Sequence, residues 1–181
     1  MAEQNLTGKT VAFLLTDGVE QPELTSPKAA VEQAGGTVRI VSPKAESLQA
    51  MEGDWDHADH FDVDAKLGTV SADEFHALVL PGGTLNSDTL RADEQAQAFA
   101  KEFFDAGKPV AAICHGPWLL IEIDQVRGRR MTSVGNVRSD LVNAGAEWVD
   151  EPVVVDGTLI TSRTPADLEA FNDAVLQAVS G

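Results

Sequence analysis

The sequence predicts a doubly wound α/β domain, and three observations carry that prediction. Short apolar runs recur along the chain: "TVAFLLT" (Thr10–Thr16), "TVRIVS" (Thr37–Ser42), "HALVLPGG" (His76–Gly83) and "PVAAI" (Pro109–Ile113). Segments with helical spacing separate them, the alternation that builds βαβ units around a parallel sheet. The run "PVAAI" is continuously apolar rather than alternating, as a strand covered on both faces must be.

Taken in order, the first strand is followed by turn and capping residues in "DGVEQPE". Leu24 to Gly35 then has helical spacing and stops at "AGG", a glycine C-cap signal. With Thr37–Ser42 this completes one βαβ unit. Lys44 to Lys66 breaks the pattern: "MEGDWDHADHFDVDAKL" is dense in acids and partly alternating, which predicts a peripheral hairpin. His57 and His60 stand there among Asp54, Asp56, Asp59 and Asp62, a set that suggests a metal site. No helical frame fixes such a ligand set, so a solvated hairpin face is the stronger reading. One amphipathic helix is predicted from Thr89 to Ala106 and another from Gly116 to Ile123. "VVVDGTLIT" (Val153–Thr161) reads as a hairpin around Asp156-Gly157. The closing helix, Thr164–Val179, has Thr164 as N-cap and Pro165 at its first position. Trp55 and Trp148 are predicted to be packing residues, and Arg163 to have a structural role. With no repeat or linker in the pattern, 1–181 reads as a single domain.

Composition narrows the function. The chain has 181 residues, 43% hydrophobic and 23% charged, ordinary values for a globular protein. Its charge is not ordinary: 29 acidic against 13 basic residues give a formal charge of -16. Such a surface repels nucleic-acid backbones and anionic membranes, so no direct nucleic-acid or membrane partner is expected. No stretch approaches the roughly 20 apolar residues that span a bilayer. The N-terminal "MAEQNLTGKT" lacks a secretion pattern, and a single cysteine forms no internal disulfide. A cytoplasmic location is expected.

That cysteine, Cys114, sits in "VAAICHGPWLL", where a buried strand gives way to a helix. This is the position of a nucleophile elbow, whose sharp turn needs small residues two before and two after the nucleophile. Ala112 and Gly116 meet that need. A helix N-terminus there favours a thiolate and the turn exposes it. On position alone, an inert buried cysteine is an equally good reading. His115, adjacent in sequence, need not touch the sulfur. Two other segments point to the same crevice. "PGG" (Pro81–Gly83) ends a neighbouring strand, and its backbone N–H groups could receive an oxyanion, unless it is only a tight turn. Glu20 and Glu23 follow the first strand; an acid beside the thiol would hydrogen-bond it or shuttle protons, or else only supply helix N-terminal charge.

Together these residues resemble the ThiJ/PfpI superfamily, in its PfpI-like branch. The motifs that carry the resemblance are "GVEQPEL" (Gly18–Leu24), "LVLPGG" (Leu78–Gly83), "AICHGP" (Ala112–Pro117), "NAGAEWVDEPVVVDG" (Asn143–Gly157) and "TSRTPADLEAF" (Thr161–Phe171). The resemblance implies a flavodoxin-like three-layer α/β sandwich with a mainly parallel central sheet, assembled as a homodimer or higher oligomer. It implies Cys114 as nucleophile, Glu23 as the acid that hydrogen-bonds it and Glu20 as a second pocket carboxylate. His115 matches the family histidine, paired across a subunit boundary with an acid best matched by Asp88, one residue later than usual and shorter than the frequent glutamate. Gly82 and Gly83 belong to the oxyanion loop, with donors from the backbone of Gly83 and His115, and Trp118 makes a bulkier pocket wall than the usual polar residue.

The activities implied fall into classes, none needing a metal or cofactor. One is glyoxalase- or deglycase-type chemistry on a small carbonyl substrate, or on glycated protein or nucleotide. The runner-up is peptide hydrolysis, and a third is a redox sensor or chaperone working through oxidation of Cys114. The absence of a second cysteine disfavours a disulfide-cycling peroxidase. The His/Glu pair of glutamine amidotransferases, at "HxE" spacing, is absent from the sequence.

Overall fold

In the computed structural model, which describes residues 4–181, the apolar runs become strands of one sheet. The elements in chain order begin with β1 (Thr10–Leu14), β2 (Val19–Glu20), α1 (Gln21–Gln33), β3 (Thr37–Ser42), β4 (Ser47–Glu52), β5 (Asp56–Asp62) and β6 (Ala65–Lys66). Then follow β7 (Ala77–Leu80), α2 (Thr84–Arg91), α3 (Glu94–Asp105), β8 (Val110–Ile113) and α4 (Pro117–Glu122). The last third holds β9 (Arg130–Met131), α5 (Arg138–Asn143), β10 (Glu147–Trp148), β11 (Val153–Asp156), β12 (Leu159–Ser162) and α6 (Leu168–Ser180).

Among the described residues the main sheet has seven strands in the order β11-β12-β8-β7-β1-β3-β6. Every pairing in it is parallel except β11 with β12, the hairpin expected around Asp156-Gly157. Period-two alternation sends successive side chains into two cores. Val11 and Phe13 pack in the core that also holds Leu24, Val31, Phe171 and Val175, whereas Ala12 and Leu14 pack with Phe99, Phe103 and Leu120. The sheet is therefore the middle of three layers, with α1 and α6 on one side and α3 and α4 on the other. This is the expected sandwich. Its second core is built around Phe75, Phe99 and Phe103, whose edge-to-face contacts lie at 5.2 and 6.0 Å between centroids.

The acidic segment forms the expected peripheral hairpin: β4 and β5 pair antiparallel, and β4 also pairs with β2. His57 and His60 are exposed on β5. Three expectations need correction. The closing helix α6 begins at Leu168 rather than Thr164: a 3-10 turn over Pro165–Asp167 precedes it, and the Thr164 side chain makes no cap hydrogen bond. The predicted single helix over Thr89–Ala106 is two helices, because the Asp93 carboxylate accepts the backbone N–H groups of Gln95 (2.8 Å) and Ala96 (3.1 Å) and caps a new start at α3. Trp55 does not pack within its own chain. It sits at the hairpin tip with 86% of its surface exposed. Trp148 does pack, half-buried against the core, and its indole N–H donates to Ser133 Oγ at 3.0 Å. Arg163 is structural: it forks onto Asp167 and reaches Asp150. No helix among the described residues is long and apolar enough to cross a membrane.

Candidate active site

The site lies beyond the carboxyl ends of β1, β7 and β8, where an open parallel sheet forms its ligand crevice. Cys114 follows β8 directly and has φ +62°, the left-handed region that side chains avoid. Its neighbours hold it there. The Cys114 N–H donates to Ser162 O, its carbonyl accepts from Val134 N–H, and Gly116 N–H donates to Ile113 O. The turn is tight enough that a Cβ at Gly116 would lie 2.6 Å from Leu80 O, which explains the small residue after the nucleophile.

Glu23 is carried to the sulfur by the first turn of α1 and is fully buried. One carboxyl oxygen accepts the Gly82 N–H at 2.8 Å. The other has no hydrogen-bond partner of its own among the described residues, and the carboxyl group faces the thiol. Gly82 is squeezed between the two: a Cβ there would lie 2.6 Å from Cys114 Cβ and would collide with the Glu23 carboxylate. The backbone N–H groups of Gly83 and His115 point at the sulfur, the two donors the sequence suggested. His115 Nδ1 lies 3.3 Å from Cys114 Sγ.

The electrostatics of this cluster favour neutral groups. Burial, reinforced by the nearby charges of Glu20 and Asp54, pushes the Glu23 carboxyl up to about 8, so it keeps its proton at pH 7. Burial also pushes the Cys114 thiol well up, against the opposing pull of the Gly83 and His115 N–H groups. Burial lowers the His115 imidazole, while the Asp54 carboxylate acts in the opposite sense. The expectation of an exposed, helix-activated thiolate is thus corrected. Cys114 is only 9% exposed, and α4 spans only Pro117–Glu122, too short for its dipole to outweigh desolvation. The resting sulfur is a thiol with a neutral imidazole beside it to take its proton.

The model of the DJ-1/PfpI family matches residues 9–178. The chain belongs to that family. Among its DJ-1/PfpI relatives, the Bacillus subtilis protein named "Putative cysteine protease YraA" is 44% identical over 91% of this chain and 94% of its own length. The Escherichia coli protein named "Protein/nucleic acid deglycase 2" is 43% identical over 93% of this chain and 96% of its own. The crystal structure of Drosophila melanogaster DJ-1beta superposes with a TM-score of 0.86 at 27% identity, covering 96% of this chain and 91% of that one.

The structure brings together Cys114, His115, Glu23, Gly82 and Gly83. Glu20 is near but otherwise engaged: its carboxylate accepts the N–H groups of Gly53 (3.0 Å) and Asp54 (3.3 Å) and clasps the hairpin tip. Trp118 packs on the His115 ring at 5.0 Å between centroids and donates its indole N–H to Asp140. Asp88 does not meet His115 of its own chain. It lies exposed on α2 and pairs with Arg91 at 2.9 Å, and the Arg91 guanidinium covers the Trp118 ring.

Sequence reasoning missed three residues. Asn86, fully buried, accepts the Thr16 N–H at 2.7 Å and donates to Pro81 O (3.0 Å) and Gly82 O (2.9 Å), so it sets the loop that carries the Gly83 donor. A polar residue just inside a helix after Pro-Gly-Gly was its only signal. Thr84 and Asp54 were missed because they meet only in the folded chain, where Asp54 accepts both the Thr84 N–H and its hydroxyl at 2.7 Å. The one local sign was Gly53-Asp54 as a hairpin turn, and both residues do have positive φ.

Proposed function

We propose that this chain is a cytoplasmic stress-response enzyme that uses the Cys114 thiol on reactive carbonyls or their glycation adducts, without metal or cofactor. One arrangement carries the reading: the Cys114 thiol lies between the fully buried carboxyl of Glu23, whose burial favours the protonated form, and Nδ1 of His115 at 3.3 Å, whose burial favours the neutral ring. Adding a thiol to an aldehyde needs both at once, a base for the S–H and an acid for the developing alkoxide.

For methylglyoxal the steps balance with water alone. His115 Nδ1 takes the thiol proton, and the sulfur bonds to the aldehyde carbon. The C=O pair becomes an alkoxide, which takes the proton of Glu23 and gives a hemithioacetal. The Gly83 and His115 N–H groups that face the sulfur stabilise the charge that forms there. The Glu23 carboxylate removes the hydrogen on that carbon while the His115 imidazolium gives its proton to the second oxygen, which makes an enediol. Glu23 returns that proton to the second carbon while the hydroxyl on the first carbon gives its own to His115, which leaves a lactoyl thioester. Water then cleaves the C–S bond and releases lactate and the thiol. The substrate is oxidised at one carbon and reduced at the next, so no outside oxidant enters. The same sulfur, replacing the nitrogen of a hemiaminal glycation adduct, would form the C–S bond as the C–N bond breaks, with a proton passed to the leaving nitrogen, and so release the unmodified amine and give the same hemithioacetal. The name of the Escherichia coli relative supports this reading.

Peptide hydrolysis is the second reading, favoured by the direct Cys114–His115 contact and by the name of the Bacillus subtilis relative. It requires an oligomer in which Asp88 of one subunit orients His115 of the next. Incubation with methylglyoxal, and separately with a fluorogenic peptide, discriminates the two. Lactate production that disappears in Cys114→Ala supports the first; its persistence in that variant refutes it. Peptide cleavage lost in Asp88→Asn and in monomers would establish the second. Oxidation of Cys114 by peroxide to a stable species two oxygens heavier, with no turnover of either substrate, would identify a sensor instead.

A further inference from the structure

The imidazole of His115 has a second nitrogen, and the chain itself supplies something for it to face. Nε2 lies 3.4 Å from the Thr84 hydroxyl. That hydroxyl lies 2.7 Å from one oxygen of Asp54, whose other oxygen holds the Thr84 N–H at 2.7 Å. Thr84 has one hydroxyl proton and Asp54 is the pure acceptor, so the proton points to Asp54. The Thr84 oxygen is then left to accept from His115 Nε2–H. This fixes the tautomer: Nε2 carries the proton, and Nδ1 presents a lone pair to Cys114 Sγ at 3.3 Å.

We propose that Asp54 and Thr84, on the tip of the β4–β5 hairpin and the first residue of α2, are positioning residues that hold His115 in the tautomer able to take the Cys114 proton. The relay lies wholly within one chain. It rests on the reading of Cys114 as nucleophile and deepens it. The hairpin tip is built for the task. Asp54 sits at φ +64°, a conformation that Asp and Asn tolerate better than most residues, and Glu20 clamps the tip by accepting the N–H groups of Gly53 and Asp54. When the thiol proton moves to Nδ1, the imidazolium faces Thr84 and, through it, the Asp54 carboxylate. Around His115 stand Asp54 from the hairpin, Cys114 from its own turn and Trp118 from α4, with Glu23 of α1 on the sulfur and Glu20 of β2 next to Glu23. Trp118 brings Arg91 over its face and Asp140 at its N–H. Arg91 is tied to Asp88, which leaves the Asp54 carboxylate as the anion linked to Nε2 by hydrogen bonds.

The test is made on the full chain with Asp54→Asn, Thr84→Val and Thr84→Ser. In Asp54→Asn the amide N–H₂ would point at Thr84, turn its hydroxyl proton towards Nε2 and move the ring proton to Nδ1, where it blocks proton transfer. Nitrogen-15 spectra of the imidazoles read that tautomer directly. Alkylation of the single cysteine by iodoacetamide from pH 5 to 9, followed by intact mass, reads the reactivity. Wild type is expected to show the Nε2–H form. Asp54→Asn is expected to show the Nδ1–H form, with alkylation at pH 7 slower by about tenfold. Thr84→Val, which leaves the carboxylate in place, should lose a similar factor, and Thr84→Ser should retain the wild-type profile. A purely structural role would lower the melting temperature without moving the tautomer. Unchanged tautomer and pH profile in Asp54→Asn and Thr84→Val would overturn the proposal. Since alkylation requires no carbonyl, failure to turn over methylglyoxal would sink the proposed substrate and leave this result standing, and the converse also holds.

Discussion

Replacing Glu23 by glutamine keeps the shape of the side chain, keeps an acceptor for the Gly82 N–H, and removes the titration. Burial raises the native carboxyl from 4.5 to about 8. Between those values the folded protein binds a proton that the unfolded chain has released, so wild-type stability falls as pH rises, by about 1.4 kcal/mol per pH unit. Across the whole window the loss amounts to about 5 kcal/mol, and the group is buried enough that solvent screening removes little of it. Taking the difference between the two proteins removes the pH dependence that they share. Urea unfolding of wild type and Glu23→Gln at half-unit steps from pH 4.5 to 8 measures that difference. The Cys114 thiol, itself pushed up by burial, stays protonated over this range and does not interfere. The variant is expected to gain on wild type steadily towards high pH. A difference that stays flat across the window would refute the raised carboxyl, and with it the acid in the proposed mechanism. Lactate formation should meanwhile fall by about 10² or more, since an amide cannot hand over a proton.

Two further substitutions probe the loop around the sulfur. Gly82→Ala is expected to cost about 2–4 kcal/mol and abolish turnover, because its methyl would lie 2.6 Å from Cys114 Cβ with the Glu23 carboxylate on its other side; thermal unfolding and lactate formation report the two effects. Asn86→Ala removes three hydrogen bonds and leaves buried backbone groups unpaired, so a loss of about 3 kcal/mol is expected in urea unfolding. At permissive temperature the effect on turnover should fall on kcat more than on KM, since the Gly83 donor loses its support.

The fold was legible because its signals are local. A both-faces-buried strand such as Val110–Ile113 has to be continuously apolar, and Gly35 does close α1 with positive φ. The break between α2 and α3 was legible too, in Asp93, but the apolar spacing runs through it and hides the cap. The site divided along the same line. Cys114, Gly82 and Gly83 are fixed by turns whose residue choice is steric, so they could be read directly. Glu23 could be placed near the sulfur only as one of two acids, and its partner Glu20 proved to be a clasp for the hairpin. Asp54 and Thr84 are thirty positions apart and become neighbours only when β4 joins β2, a pairing that no local pattern announces. The protonation of the thiol was misjudged because burial, a property of the whole packed molecule, outweighs the field of a short helix.

The bent backbone at Cys114 has an evolutionary consequence. Residues other than glycine sit in that conformation at a cost of about 1 kcal/mol, whichever side chain they carry. Serine or alanine at 114 would inherit the strain, and glycine alone would be rid of it. Selection for heat resistance and selection for turnover therefore pull on this codon in opposite directions. Under the proposed chemistry, a lineage that no longer needed the thiol would be expected to drift towards glycine here.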